Sequence, residues 1–156
     1  MLKRYGVMLF LAFSLGVIEG AVGQTAAELI VVQAPYVRAV PPGVPNSASY
    51  MVLLNNDNRD HALVGMESPV AKVLELHAHT MQDGMMQMRR VGKIELPAGA
   101  TIGLQPGGLH VMLIGLQQKL VPGEEVPITL LFEDGSKQQI DVPVRKLQMH
   151  VDKPME

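Results

Sequence analysis

The stretch Val126-Pro127-Ile128-Thr129-Leu130-Leu131-Phe132-Glu133-Asp134-Gly135-Ser136-Lys137-Gln138-Gln139-Ile140-Asp141-Val142-Pro143-Val144 reads as two half-buried strands around a turn. Val126, Ile128, Leu130 and Phe132 recur at every second residue and so share one face, as do Ile140, Val142 and Val144. Asp134-Gly135 supplies the turn residues between them. Working towards the N-terminus, the same kind of segment repeats: Glu28 to Gln33, Ser49 to Leu54, Ala62 to Met66, Lys72 to Ala78, Met85 to Arg90, Thr101 to Leu104 and His110 to Leu113. Pro41-Pro42-Gly43, Asn55 to Asn58, Asp83-Gly84, Pro97-Ala98-Gly99, Pro106-Gly107-Gly108 and Pro122-Gly123 punctuate them. Short strands at this spacing, with no convincing amphipathic helix, predict an all-β sandwich or barrel. The chain carries no internal repeat or low-complexity linker, so one domain is expected over residues 28–144, followed by a polar C-terminal tail at 145–156.

The first 23 residues read as a signal peptide. Lys3 and Arg4 form a positive start, Val7 to Ile18 is largely apolar, and Ala21-Val22-Gly23 is a small-x-small cleavage site. The uncharged stretch Tyr5 to Ile18 is 14 residues and ends at Glu19, short of the roughly 20 a membrane span requires. A soluble, exported, periplasmic protein without a membrane anchor after cleavage is therefore expected. There is no cysteine, hence no lipid attachment site, disulfide or thiolate ligand. Cleavage leaves 11 basic and 14 acidic residues, a formal charge of −3, which gives no footprint for nucleic acid. Nine of the eleven methionines lie beyond residue 23, where only Tyr36, Tyr50 and Phe132 supply aromatic rings.

Period-two geometry puts His77 and His79 on one face of their strand and Leu74, Leu76 and Ala78 on the other. It likewise pairs His110 with Met112, leaving Leu109, Val111 and Leu113 to face the core. The metal-capable residues are thus expected to point outward. Between the two strands, Met81-Gln82-Asp83-Gly84-Met85-Met86-Gln87-Met88 places four methionines around an Asp-Gly turn, and a hairpin there folds Met86 and Met88 back towards His77 and His79. Methionine is ordinarily a core filler, and an isolated histidine is ordinarily solvated or hydrogen-bonded, which is the reading given to His61 and His150. The remaining residues stand out because three of five histidines and five methionines fall between His77 and Met112. Soft thioether sulfur mixed with imidazole suits Cu(I), whereas zinc draws on cysteine, histidine and carboxylate, and calcium on clustered oxygens.

The spacing His77-x10-Met88-x21-His110-x-Met112 resembles the signature of the periplasmic copper chaperones called PCu(A)C. The flanks are similar too, at Tyr36 to Gly43, Pro106 to Leu113 and Phe132 to Gly135. The resemblance implies a cupredoxin-like Greek-key β-sandwich, with one Cu(I) at an exposed edge on His77, Met88, His110 and Met112. It also implies delivery of copper to an acceptor protein, the binuclear copper centre of a haem-copper cytochrome oxidase or another copper chaperone. Many members carry methionine two residues after the first histidine, where this chain has His79. His79 and Met86 are auxiliary candidates, and a nitrogen donor at 79 extends the expected cargo to Cu(II). A second copper site on Met149, His150 and Met155 in the short tail is not expected.

No paired carboxylates, cysteine nucleophile or Ser/His/Asp spacing marks a catalytic centre, so a non-enzymatic protein is expected; a monomer is expected as well. Two other readings compete. One is a cupin-like metalloenzyme on His77, His79 and His110, which lacks the usual glutamate shortly after His-x-His. The other is a metal-free envelope binding module whose methionines only pack.

Overall fold

A computed structural model describes residues 23–146. Positions 1–22 and 147–156, which carry most of the expected signal peptide and tail, lie outside the described residues.

The chain opens with a four-residue helical turn, α1 (Ala26–Leu29), where a strand start was expected. The cause is local: the Glu28 carboxylate accepts hydrogen bonds from the Thr25 backbone N–H and hydroxyl, a capping arrangement that favours helix. The free N–H groups of Ala26 and Ala27 donate to Asp134 Oδ2 and Ser136 Oγ. Ten strands follow: β1 (Ile30–Arg38), β2 (Asn46–Asn55), β3 (His61–Glu67), β4 (Ala71–Gln82), β5 (Met85–Arg90), β6 (Ile94–Leu96), β7 (Thr101–Leu104), β8 (His110–Leu116), β9 (Glu125–Phe132) and β10 (Lys137–Arg145). Each expected strand is present, most of them longer than read; β6 is new, too short at three residues to register as a periodic run.

Strand order is β5-β4-β8-β2-β1-β10-β9-β3-β6, with β7 also pairing β2. All pairs are antiparallel except β1–β10, which joins Val37 to Val144 and Arg38 to Arg145 in parallel. The continuous sheet folds into the two layers of a cupredoxin-like β-sandwich, β5-β4-β8-β2-β1 facing β10-β9-β3-β6. Between them lie Val37, Met51, Leu53, Leu76, Val111 and Leu113 from the first layer, and Leu63, Leu96, Val126, Ile128, Leu130, Phe132, Val142 and Val144 from the second. The alternation in β9 and β10 does face the core as read.

Strand β1 is irregular near its middle. The register with β2 shifts between Gln33 and Tyr36, where three residues of β1 span two of β2, and Ala34 sits at φ 45° beside Pro35. This bulge inverts the alternation: Val37 enters the core while Tyr36 and Arg38 move to the outer face of the first layer.

Candidate metal centre

The Asp83-Gly84 turn has positive φ at both residues, 52° and 76°, the backbone a two-residue hairpin of this composition adopts. It fixes the register His77↔Arg90, His79↔Met88 and Met81↔Met86. On the other flank of β4 the register is His77↔His110 and Glu75↔Met112. Directly opposed residues share a face, so Glu75, His77, His79, Met81, Met86, Met88, His110 and Met112 all belong to the outer face of the first layer. The imidazole centroids of His77 and His79 lie 5.8 and 5.1 Å from that of His110.

His110 departs from the outward expectation: it is only 4% exposed. The neighbouring His77 and His79 and the hairpin cover it, with Met88 Sδ 3.0 Å from its Nε2. Its Nδ1 lies 2.9 Å from the Gly108 carbonyl. A carbonyl only accepts, so the proton is on Nδ1 and Nε2 presents a lone pair towards sulfur. Burial pushes the His110 pKa down; the Gly108 carbonyl opposes this, and the charges of His79, His77 and Arg38 add to it. The ring is therefore held neutral, as a metal ligand requires.

His77 is oriented by a residue the sequence reading missed. Its Nε2 lies 2.9 Å from Glu75 Oε2, and Arg90 sits 3.4 Å from the other carboxylate oxygen. The His77 contact, followed by the Arg90 charge, lowers the Glu75 pKa. An ionised carboxylate accepts the Nε2 proton, which leaves the His77 lone pair on Nδ1. That Nδ1 is buried with no hydrogen-bond partner, and so is Nδ1 of His79. The signal available was the i, i+2 spacing Glu75-x-His77, which puts a carboxylate beside the ring on the same face.

Two imidazole nitrogens are thus buried without partners, on rings whose centroids lie 5.8 and 5.1 Å from that of His110, whose own Nε2 is met by a thioether. Unpaired buried polar atoms are costly, and here the donor set fits a soft, nitrogen-accepting metal ion. Among the described residues no three His, Cys, Asp or Glu side chains are grouped to hold a metal on their own. Met112 is half-buried one rung from His110. Met86 falls one rung beyond Met88, opposite Met81 rather than His79. His61 lies elsewhere, between Asp57 and Glu133, hydrogen-bonded as expected, and His150 lies outside the described residues.

Residues 30–144, the span of the sandwich, match the family described as LpqE-like. The chain belongs to the LpqE-like family. One relative, named "Putative lipoprotein Lxx21020", of Leifsonia xyli subsp. xyli, is 33% identical over 120 residues, covering 76% of this chain and 71% of that one. Two solved structures place this LpqE-like chain among PCuAC domains, as the His77-to-Met112 spacing implied. The CuI form of DR1885 from Deinococcus radiodurans is 39% identical with a TM-score of 0.65, covering 76% of this chain and 80% of that one. The copper-bound PCuAC domain from PmoF2 is 26% identical with a TM-score of 0.67, covering 78% and 97%.

Proposed function

We propose that the protein is an extracytoplasmic copper chaperone that holds one Cu(I) on His77, Met88, His110 and Met112 and passes it to an acceptor protein. The observation that carries the reading is Met88 Sδ lying 3.0 Å from His110 Nε2, a thioether and an imidazole held side by side on one face, which is a donor pair that suits a soft ion. The copper-bound PCuAC neighbours support the choice of metal, as does the softness of the donors. His79, with its unpartnered nitrogen, is the auxiliary ligand.

Cargo transfer follows from the difference between the ligands. His110 is anchored in the sheet, whereas Met88 is 48% exposed on the terminal strand β5. Met88 detaches first, and an incoming donor takes its place before the imidazoles let go. Neutral ligands leave the site with the single positive charge of Cu(I), which favours acceptance by an anionic or thiolate centre. The binuclear copper centre of a cytochrome oxidase, or an intermediate copper chaperone, is such an acceptor. The donors fill the coordination positions of the ion, leaving none for turnover chemistry, so the protein works as a carrier and not as an enzyme. Its setting is the periplasm, reached through the leader at 1–23. The family description and the Leifsonia relative's name carry the word lipoprotein, but these 156 residues contain no cysteine to take a lipid.

Anaerobic titration against a colorimetric Cu(I) chelator should give a single tight equivalent, and X-ray absorption should count two nitrogen and two sulfur neighbours. Zinc gains little from thioethers, so zinc binding as tight as Cu(I) binding sinks the site. For His79, electron paramagnetic resonance of the Cu(II)-loaded protein is the direct probe. His79→Met should weaken Cu(II) much more than Cu(I), because Cu(II) prefers nitrogen and oxygen donors; unchanged spectra and affinities remove His79 from the ligand set.

A further inference from the structure

The hairpin continues past the metal centre, and what it carries there is not needed to complete four ligands. Beyond the His79–Met88 rung comes Met81–Met86, about 6.7 Å further along the strands. These two methionines are directly opposed, so their Cβ atoms are about 5 Å apart. Both side chains project from the same face as His79 and Met88. They are 67% and 63% exposed, against the ordinary tendency of methionine to be buried. Neither belongs to the hydrophobic core, so packing does not explain the pair.

We infer that Met81 and Met86 form a second, weaker Cu(I) station, an outer thioether pair through which the ion enters and leaves the His77/Met88/His110/Met112 centre. The inference rests on the copper reading of that centre. Transfer along the ladder is ligand exchange only: the ion gains the sulfurs of Met86 and Met81 as it loses those of Met88 and Met112 and the two imidazoles, and its oxidation state is unchanged. Two thioethers bind less tightly than two thioethers with two imidazoles, so the outer pair fills second and empties first. Each hop spans one rung, a distance that the exposed, unbranched methionine side chains cover by rotamer changes.

The hairpin contains its own control. Met85 is 64% exposed, as open as the pair, but lies next to Met86 in sequence and therefore faces the opposite side of the strand. Protein labelled with carbon-13 at the methionine methyls is titrated anaerobically with Cu(I) and followed by NMR. The first equivalent should shift Met88 and Met112, and the second should shift Met81 and Met86 together while Met85 stays put. Met81→Leu should keep the first step and abolish the second, including the Met86 shift; Met86→Leu should do the same to Met81. The inference is overturned if Met81 and Met86 do not move, if Met85 moves with them, or if Met86 still shifts in Met81→Leu. Failure of the underlying copper reading looks different: Met88 and Met112 do not respond to the first equivalent.

Discussion

His61 and His110 are both buried imidazoles, and their surroundings drive them in opposite directions. Burial alone lowers His61, but Glu133 Oε1 at 2.6 Å from Nδ1 and Asp57 Oδ2 at 2.9 Å from Nε2 outweigh it, so its pKa is raised. Asp57 is lowered, chiefly by His61. Glu133 is lowered as well: burial opposes this, and the Ala62 N–H and His61 prevail. A raised histidine stabilises the fold fully below its unfolded pKa, near 6.5, and that contribution fades as pH rises through the higher folded value. The lowered carboxylates stabilise above their unfolded range, near 4 to 4.5, and their share is lost as acid protonates them. The cluster therefore contributes most between about pH 4.5 and 6.5. His110, with its lowered pKa, has the opposite slope, so the melting-temperature difference between metal-free wild type and His61→Gln isolates the cluster. That difference should be largest in the window and shrink on both sides; a difference independent of pH contradicts the assignment.

At the scale of elements, the β4–β5 hairpin was legible because Asp83-Gly84 determines both turn type and register, which is enough to bring Met88 opposite His79. The bulge in β1 was not, because Ala34-Pro35 reads as the end of a strand when it is a change of face within one. Burial of His110 was equally hidden, since the cover comes from a different strand pair. The Phe132-to-Gly135 block, read as a flank of the metal signature, turns out to tie the N-terminal turn and β3 to the β9–β10 loop through Glu133 and Asp134. None of the six residues of β5 is buried, so the strand that brings Met88 is held mainly by its ladder to β4, and isolated hairpins are marginal in water. Gly84 has φ +76° with open space where a Cβ would be. Gly84→Ala therefore introduces backbone strain of about 1–2 kcal/mol without a clash. Because the proposed copper site needs the closed hairpin, Cu(I) affinity should fall by up to about thirtyfold, while thermal melting of the core barely moves. A large loss of melting temperature with unchanged affinity reverses that assignment.

Across the whole molecule, the two faces of the first layer differ: one packs the sandwich and the other presents the proposed copper ligands. Methionine divides along this line. Met51 is buried among core residues, and Met51→Ala should cost about 2–5 kcal/mol through the cavity it leaves, with copper stoichiometry unchanged. Met88→Ala should cost about 0.5 kcal/mol or less of stability and lose tight Cu(I) binding. Denaturant unfolding paired with a Cu(I) titration measures both, and similar behaviour of the two variants contradicts the division.

The parallel pairing of Val37 with Val144 has a consequence in time. The first strand of the sandwich hydrogen-bonds to the last, across a loop of more than a hundred residues, and contacts of such high sequence separation make folding slow. Until β10 is in place, β1 has no partner on that edge and the second layer, on which the first layer rests, is unfinished. Before that last strand docks, the sulfur and imidazole donors of β4, β5 and β8 stand on a layer with nothing packed beneath it, so the site is assembled late in folding.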